Sequence, residues 1–199
     1  MSFRDEIARL GTTKREIPLA THRPTFINNE TCEPDLVPTP TMARNEAVLA
    51  ARYHRRRPAI AGYNCFGMAL AHRRTAITGL DGGRLDVQRI LDEDGYGLVV
   101  PGEELSGDLV VYSDERDATH AARVDRIEVV QLGLEPPTTR TIVLSKFNDI
   151  SGEFEHLIDD TSWADPRWHY GRVTYRVFRD RSQVPRGPGW RAALIAVGS

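Results

Sequence analysis

The chain has 199 residues, of which 40% are hydrophobic and 27% charged, and its formal net charge at pH 7 is -2. This length is enough for one domain with its own core, and the composition is typical of a globular protein in water. The nearly balanced charge does not favour nucleic acid or an anionic membrane, so neither is expected as a partner. No apolar run approaches the roughly 18 residues that cross a bilayer.

Residues 1–40 are predicted to form an N-terminal extension, partly irregular, ahead of a domain at residues 41–199. One short helix is expected at residues 3–10, and five prolines within residues 17–40 indicate an irregular segment draped over the domain. That segment is either a lid or strap, or a disordered leader. The N-terminus lacks the apolar core of a signal peptide, so the protein is expected to be cytoplasmic as made, with signal-independent secretion as the alternative.

The first clear helix pattern covers residues 41–56, where Thr41 can cap the start and Pro58 ends the helix. The basic run at residues 52–57 is interpreted as a solvated helix end, with binding of phosphate or an acidic substrate as the alternative. Small residues share one face of this helix, which predicts close packing against another element. They are Ala43, Ala47, Ala50 and Ala51.

The stretch around Cys65 is the most informative part of the chain. A glycine and a polar pair precede the cysteine and small apolar residues follow it, so a helix is predicted over residues 64–76. The free N–H groups at a helix start stabilise a thiolate and raise its reactivity. The alternative is an ordinary buried core cysteine. A disulfide with Cys32 would silence the thiol, and the lack of a Cys-x-x-Cys pair argues against a structural metal.

Strand patterns dominate the second half. Helices first and strands afterwards predict an α+β domain with an antiparallel sheet. A bulge near Asp125-Arg126 reconciles two alternation patterns in one long strand. The predicted elements are a short helix at 85–91, strands at 109–113, 120–132, 138–147, 172–179 and 190–197, a turn at 133–137 that makes the second and third strands a hairpin, and a turn of helix at 152–158.

His120 opens one of these strands, 120 minus 65 or 55 residues after Cys65. A helix packed on the sheet can bring the two side chains together. In such a pair the imidazole takes the proton of the thiol and later protonates the leaving amine. The two residues are therefore the candidate nucleophile and general base.

Three ordered motifs resemble the NlpC-type branch of the papain-like cysteine hydrolases. They are Asn-Cys-x-Gly at 64–67, Gly-Asp-Leu-Val-Val-Tyr at 107–112 and Thr-His-Ala-Ala-Arg-Val at 119–124. The resemblance covers residues 60 to 180 and extends to an uncharacterised bacterial subgroup. The matching residues of that subgroup are Gly95-Tyr96, Ser145-Lys146, His156 and Tyr170-Gly171.

This resemblance implies a papain-like fold in which N-terminal helices pack on an antiparallel sheet. It implies a thiol hydrolase that cleaves an amide bond in a peptide or protein substrate, with no cofactor and no metal. Cys65 is then the nucleophile and His120 the base. The Cys65 N–H is one donor of the oxyanion hole, and Asn64 or Tyr63 is expected to bring a second.

A third residue is expected to orient the imidazole of His120. Relatives carry a His, Asn, Gln or Glu on the following strand, whereas this chain has Ser145 near that place. Ser145 and His156 are the preferred candidates. The remaining candidates are Asn148, Asp149 and Glu155.

Two other kinds of function remain open. The same thiol chemistry serves an acyltransferase or a glutamine deamidase, and the missing signal peptide fits an effector or toxin delivered into another cell. Alternatively the domain is catalytically weak or inactive and binds a partner, which the unusual third position favours. The sequence predicts no particular oligomeric state.

Overall fold

The computed structural model describes residues 16–31, 40–78, 84–147, 150–163 and 171–181. Within this part of the chain there are three helices and nine strands. The helices are α1 (Pro40–Ala50), α2 (Cys65–Leu70) and α3 (Arg84–Glu93). The strands are β1 (Asn29–Glu30), β2 (His54–Arg57), β3 (Ala76–Ile77), β4 (Tyr96–Leu98), β5 (Leu109–Ser113), β6 (Ala118–Val130), β7 (Thr138–Lys146), β8 (Glu153–Leu157) and β9 (Thr174–Asp180).

Seven of the described strands form one sheet in the order β2-β8-β7-β6-β5-β9-β4. Every neighbouring pair is antiparallel, and β1 pairs with β3 in a separate antiparallel ribbon. The predicted α+β class and antiparallel sheet are therefore confirmed. The helix predicted at 3–10 and the strand predicted at 190–197 lie outside the described residues.

The central hairpin also agrees with the sequence. β6 and β7 pair from Ala122 opposite Ser145 to Val130 opposite Thr138, and the pairing shifts register between Val124 and Arg126. The predicted bulge near Asp125 lies at that shift. A bulge bends the strand and changes which residues face the core.

Three local predictions were wrong. Residues 152–158 hold strand β8 instead of a helical turn. The helix predicted to reach residue 56 ends at Ala50, and β2 follows because its basic residues pair with the acidic strand β8. The Cys65 helix ends at Leu70, since His72 and Arg73 adopt left-handed backbone angles of φ 50° and 66°.

The prediction of N-terminal helices packed on the sheet was also wrong. α2 does pack on β6 and β7, but α1 makes no extensive contact with any described strand or helix, and β1, β2 and β3 lie among the helices in the chain. The small-residue face of α1 is exposed at Ala43, Ala47 and Ala50. Hence no N-terminal helical layer is present in the described part of the chain.

Side chains alternate between two faces of the large sheet. One face, called the α2 face below, contacts α2 and α3 through a cluster of buried residues. Its members include Phe66, Met68, Val87, Leu91, Leu109, Val111 and Ala121. The opposite face, called the far face, has its own cluster, which includes Val110, Tyr112, Ala122, Val124, Val143 and Val177.

A fully buried carboxylate connects the sheet to the chain on both sides of α2. The Tyr63 hydroxyl donates to Glu153 Oε1 at 2.7 Å, and Arg73 donates to both carboxylate oxygens at 2.5 and 2.9 Å. Arg57 lies 3.5 Å from Oε2. Burial opposes the ionisation of Glu153, but the hydrogen bonds from Arg73 and Tyr63 outweigh it and lower the pKa of the carboxyl group.

Lys146 supports the same region from the neighbouring strand. Its ammonium donates to the Ile60 carbonyl at 2.6 Å and also to the Ser151 carbonyl, and it lies 5.0 Å from the centroid of the Tyr63 ring. The segment that leads into Cys65 is thus fixed by two buried charged residues. Such a network is sensitive to the loss of any member, because the remaining charge stays buried.

The Glu153→Gln substitution is expected to lower the free energy of unfolding by about 3 kcal/mol, because it leaves Arg73 without its counter-charge. The measurement is urea denaturation followed by circular dichroism. The matched control is Glu128→Gln, since Glu128 is 41% exposed and bonds Arg126 at 2.8 Å; it should cost less than about 1 kcal/mol. Equal losses in the two variants would contradict a special role for Glu153.

Candidate functional site

Cys65 is the first residue of α2, and the Asn64 side chain caps the helix. Asn64 Oδ1 accepts from the N–H of Gly67 at 2.8 Å and of Ile77 at 3.2 Å, and Nδ2 donates to the Ile77 carbonyl at 2.8 Å. A Cβ atom on Gly67 would lie 1.7 Å from the Thr75 carbonyl oxygen, so only glycine fits two residues after the cysteine. Cys65 itself is half-buried and packs against the cluster of the α2 face.

Asn64 and Tyr63 are the two residues predicted to complete the oxyanion hole, and their side chains bond other parts of the protein. The polar atoms of Asn64 bond the backbone of Gly67 and Ile77, and the Tyr63 hydroxyl donates its proton to Glu153. Burial and the bond to Glu153 also raise the pKa of Tyr63. The Tyr63 proton is thus used by Glu153, whereas Asn64 Nδ2 gives one of its two hydrogens to the Ile77 carbonyl.

The imidazole of His120 lies on the far face of the sheet. Its centroid is 4.4 Å from that of the Trp163 ring, 5.6 Å from Tyr112 and 6.0 Å from Phe147. The next residue, Ala121, belongs to the cluster of the α2 face. The ring of His120 thus packs on the far face, whereas Cys65 packs against the cluster of the α2 face, and the catalytic pairing of the two residues stays a prediction.

The placement of His120 follows from the regular alternation of β6, because His120 pairs with Tyr112 in the same register as Ala121 with Val111. The register slips only beyond His120, and that slip changes the face of Ala118. Tyr112 pairs with His120, but Ser113 pairs with Ala118, so the register slips at Thr119. A slip of one residue moves a side chain to the other face of a sheet. Ala118 packs on the α2 face, and His120 joins Tyr112 on the far face.

Ser145 on β7 and His156 on the neighbouring strand β8 lie side by side. Ser145 Oγ is 2.8 Å from His156 Nε2, and His156 Nδ1 is 2.8 Å from the Leu157 carbonyl. A carbonyl can only accept, so Nδ1 carries the proton and Nε2 accepts from the Ser145 hydroxyl. Both residues are buried, at 0% and 5% exposure.

Both ring nitrogens of His156 are bonded within this pair and to the Leu157 carbonyl. The Phe147 ring has its centroid 5.3 Å from His156 and 6.0 Å from His120. That Ser145 or His156 is the third catalytic residue stays a prediction. Burial lowers the pKa of His156, although the Leu157 carbonyl and Asp160 act in the opposite direction.

Of the remaining candidates for that position, the structure describes Glu155 alone. Glu155 bonds Arg56 and lies 3.1 Å from Arg126 Nη1. Asn148, Asp149 and Cys32 lie outside the described residues. Among the residues that the structure describes, no group of three or more His, Cys, Asp or Glu side chains is placed to hold a metal ion.

A cleft of about 420 Å³ lies on the α2 face between α3, β5 and β9, and the sequence analysis missed it. Its floor includes Leu91, Val111 and Phe178, and Arg176 lies beside them. Arg176 pairs with Val111 across β5 and β9. The sequence contained no clear signal for this site, because the apolar alternation of Val173, Tyr175 and Val177 places Arg176 on the polar side of the strand.

Arg176 is exposed, and no side-chain hydrogen bond or ion pair joins it to another residue in the described part of the chain. Its guanidinium is therefore available for an anionic ligand. The rim also carries Arg116, Asp114 and Asp117. The cleft thus combines an apolar floor with a mixed-charge rim, as small-ligand and peptide sites commonly do.

No family model, curated protein or solved structure matches this chain. Within the described ranges, none of the helices is long and apolar enough to span a membrane.

Acidification is expected to destabilise the fold through His156. The ordinary pKa of 6.5 is lowered in the folded state, so the unfolded chain binds the proton more tightly. The contribution of His156 to stability is then fully present above about pH 6.5. Below that pH the free energy of unfolding falls, by up to about 1.4 kcal/mol per pH unit. Urea denaturation at several values between about pH 7.5 and 5.5 measures this slope.

The His156→Gln variant supplies the control, because an amide can keep the bond to Ser145 without titrating. Its stability should vary less over the same range. Glu153 and Glu155 do not interfere, since their lowered pKa values lie below the ordinary 4.5. An unchanged slope in His156→Gln would contradict this assignment.

Proposed function

We propose that this chain is a ligand-binding domain and does not hydrolyse a substrate through a Cys65–His120 pair. Its ligand is a peptide that ends in an apolar residue with a free carboxylate. The observation that carries the proposal is Arg176, an exposed arginine beside the apolar floor of the cleft, which makes no ion pair with an acidic residue in the described part of the chain. The separation of Cys65 and His120 on opposite faces favours binding over catalysis.

The dimensions and lining of the cleft support a peptide end. A volume of about 420 Å³ accommodates one or two residues. Leu91, Val111 and Phe178 offer apolar surface to a side chain, with a gain of about 25 cal/mol for each Å² buried. A carboxylate binds a guanidinium through two parallel hydrogen bonds, so Arg176 fixes the polar end.

A dye-labelled peptide with the sequence Gly-Ser-Gly-Leu-Phe and a free carboxylate is expected to bind the wild-type protein. The same peptide with a C-terminal amide should bind at least about tenfold more weakly, because it loses a charge-assisted hydrogen bond. Arg176→Gln should reduce the affinity for the carboxylate peptide to that of the amide. Fluorescence anisotropy measures all three.

Arg140→Gln is the matched control, because Arg140 is an exposed arginine on β7 that does not line the cleft. It should bind the carboxylate peptide like the wild type. Equal affinity for acid and amide, or equal losses in the two arginine variants, would overturn the proposal. The three proteins should show the same thermal unfolding, which separates a lost contact from a lost fold.

A second candidate is thiol chemistry at Cys65, as the resemblance to the NlpC-type hydrolases implies for a peptidase, amidase or acyltransferase. One observation favours it. Three hydrogen bonds from the Asn64 side chain fix the backbone beside Cys65, and the thiol stays half-exposed. This candidate requires that a group other than His120 accepts the proton.

Alkylation with iodoacetamide tests this second candidate. If Cys65 is activated, it should react at pH 7 at least about tenfold faster than free cysteine, and Cys65→Ser should abolish the label at that site. His120→Ala should leave the rate unchanged, because the imidazole lies on the far face. Peptide mass mapping assigns the label and separates Cys65 from Cys32.

A rate no faster than that of free cysteine would exclude activated thiol chemistry and leave binding as the function. A slower rate in His120→Ala with unaltered thermal unfolding would instead contradict the separation of the two side chains.

A further inference from the structure

The small-residue face of α1 lines an open cleft of about 380 Å³ beside β2 and the segment that follows it. The cleft is distinct from the one that contains Arg176. Most of its walls are methyl or ring carbons. The lining residues are Ala43, Ala47, Ala50, Pro58, Ala59, Glu46 and Arg55.

Glu46 is a buried acid in this apolar setting, with 9% of its surface exposed. Its Oε2 atom accepts the N–H of Gly152 at 2.9 Å. Its buried Oε1 atom accepts no hydrogen bond from the part of the chain that the structure describes. Arg55 Nη1 lies 3.6 Å from Oε1, which is too far for a hydrogen bond.

The surroundings hold this carboxylate in place. A Cβ atom on Gly152 would lie 2.6 Å from Glu46 Oε1 and 2.3 Å from the Arg57 carbonyl oxygen. Glycine at position 152 therefore makes room for the acid and donates to it. A buried carboxylate oxygen without a donor costs about 1–3 kcal/mol or more, and a ligand that donates to it recovers that cost.

We propose that this cleft binds a primary ammonium group on an unbranched alkyl chain, with Glu46 Oε1 as the acceptor. An ammonium brings three donors and a positive charge to the carboxylate. The alkyl chain then lies along the alanine face of α1, where its burial contributes about 0.8 kcal/mol for each CH₂ group. A free alkylamine and the side chain of a lysine share this chemistry.

The proposed site differs from a surface that binds cations through many acidic side chains. Glu46 offers one oxygen in an apolar cleft, which suits a donor with a short apolar stem better than a hydrated metal ion. The half-exposed Arg55 side chain is long and flexible, so it can swing away when a cation enters. This binding site is independent of Cys65 and of the cleft at Arg176.

Isothermal titration calorimetry with n-pentylamine tests the proposal, at ligand concentrations up to about 20 mM, which detect dissociation constants in the millimolar range. The wild-type protein should bind the amine. Pentan-1-ol, which lacks the charge, and pentyltrimethylammonium, which lacks the donors, should bind at least about tenfold more weakly. Nα-acetyl-lysine methylamide is titrated in parallel, and tighter binding than pentylamine assigns the source to a lysine side chain.

Two variants test the acceptor and the cleft separately. Glu46→Gln keeps an acceptor for the Gly152 N–H but loses the charge, and it should weaken pentylamine binding at least about tenfold. Ala47→Leu leaves Glu46 intact and fills the cleft, so it should abolish binding. Val48→Leu is the matched control for the added bulk, because Val48 is 60% exposed on α1 and does not line the cleft.

Thermal unfolding of each variant is compared with the wild type, so that a lost ligand is not mistaken for a lost fold. Failure of the wild type to bind either amine would overturn the proposal. Equal binding of the quaternary ammonium or of the alcohol would also overturn it, and so would unchanged binding in folded Glu46→Gln.

Discussion

The buried carboxylate of Glu153 is the constraint on which the region around α2 depends. It accepts hydrogen bonds from Tyr63, which precedes the six-residue helix α2, and from Arg73, which follows it. A helix this short has little stability of its own, because nucleation is costly and few hydrogen bonds follow it. The buried charge network therefore stabilises α2, whose own few backbone hydrogen bonds contribute little. It also stabilises the left-handed backbone of Arg73, which costs an ordinary residue about 1–2 kcal/mol.

The surface beside the helices carries two open clefts. α2 ends early, and the chain turns away to form the β1–β3 ribbon instead of covering the sheet. The α2 face then keeps an open cleft beside α3. α1, which is tied to β8 through the Glu46 bond to Gly152, keeps its alanine face exposed.

Much of the sheet could be predicted, because period-two alternation and turn residues are local signals. The β6–β7 hairpin with its bulge, strand β5 and strand β9 were all predicted from such patterns. β2 and β8 were not, since each carries charged residues that a single strand could not bury. Their pairing is a long-range match of basic and acidic side chains, with His54 opposite Glu155 and Arg57 opposite Glu153. No local pattern contains that information.

The environment of His120 follows from its place in β6. His120 pairs with Tyr112 in the same register as Ala121 with Val111, so it shares the far face with Tyr112, whereas the slip that pairs Ser113 with Ala118 lies beyond it. On that face the imidazole packs among Tyr112, Phe147 and Trp163. An imidazole in contact with three aromatic rings gains packing energy that an exposed catalytic position lacks. The ring that the motif marks as a base thus packs among aromatic residues of the far face, and motif spacing alone does not predict this environment.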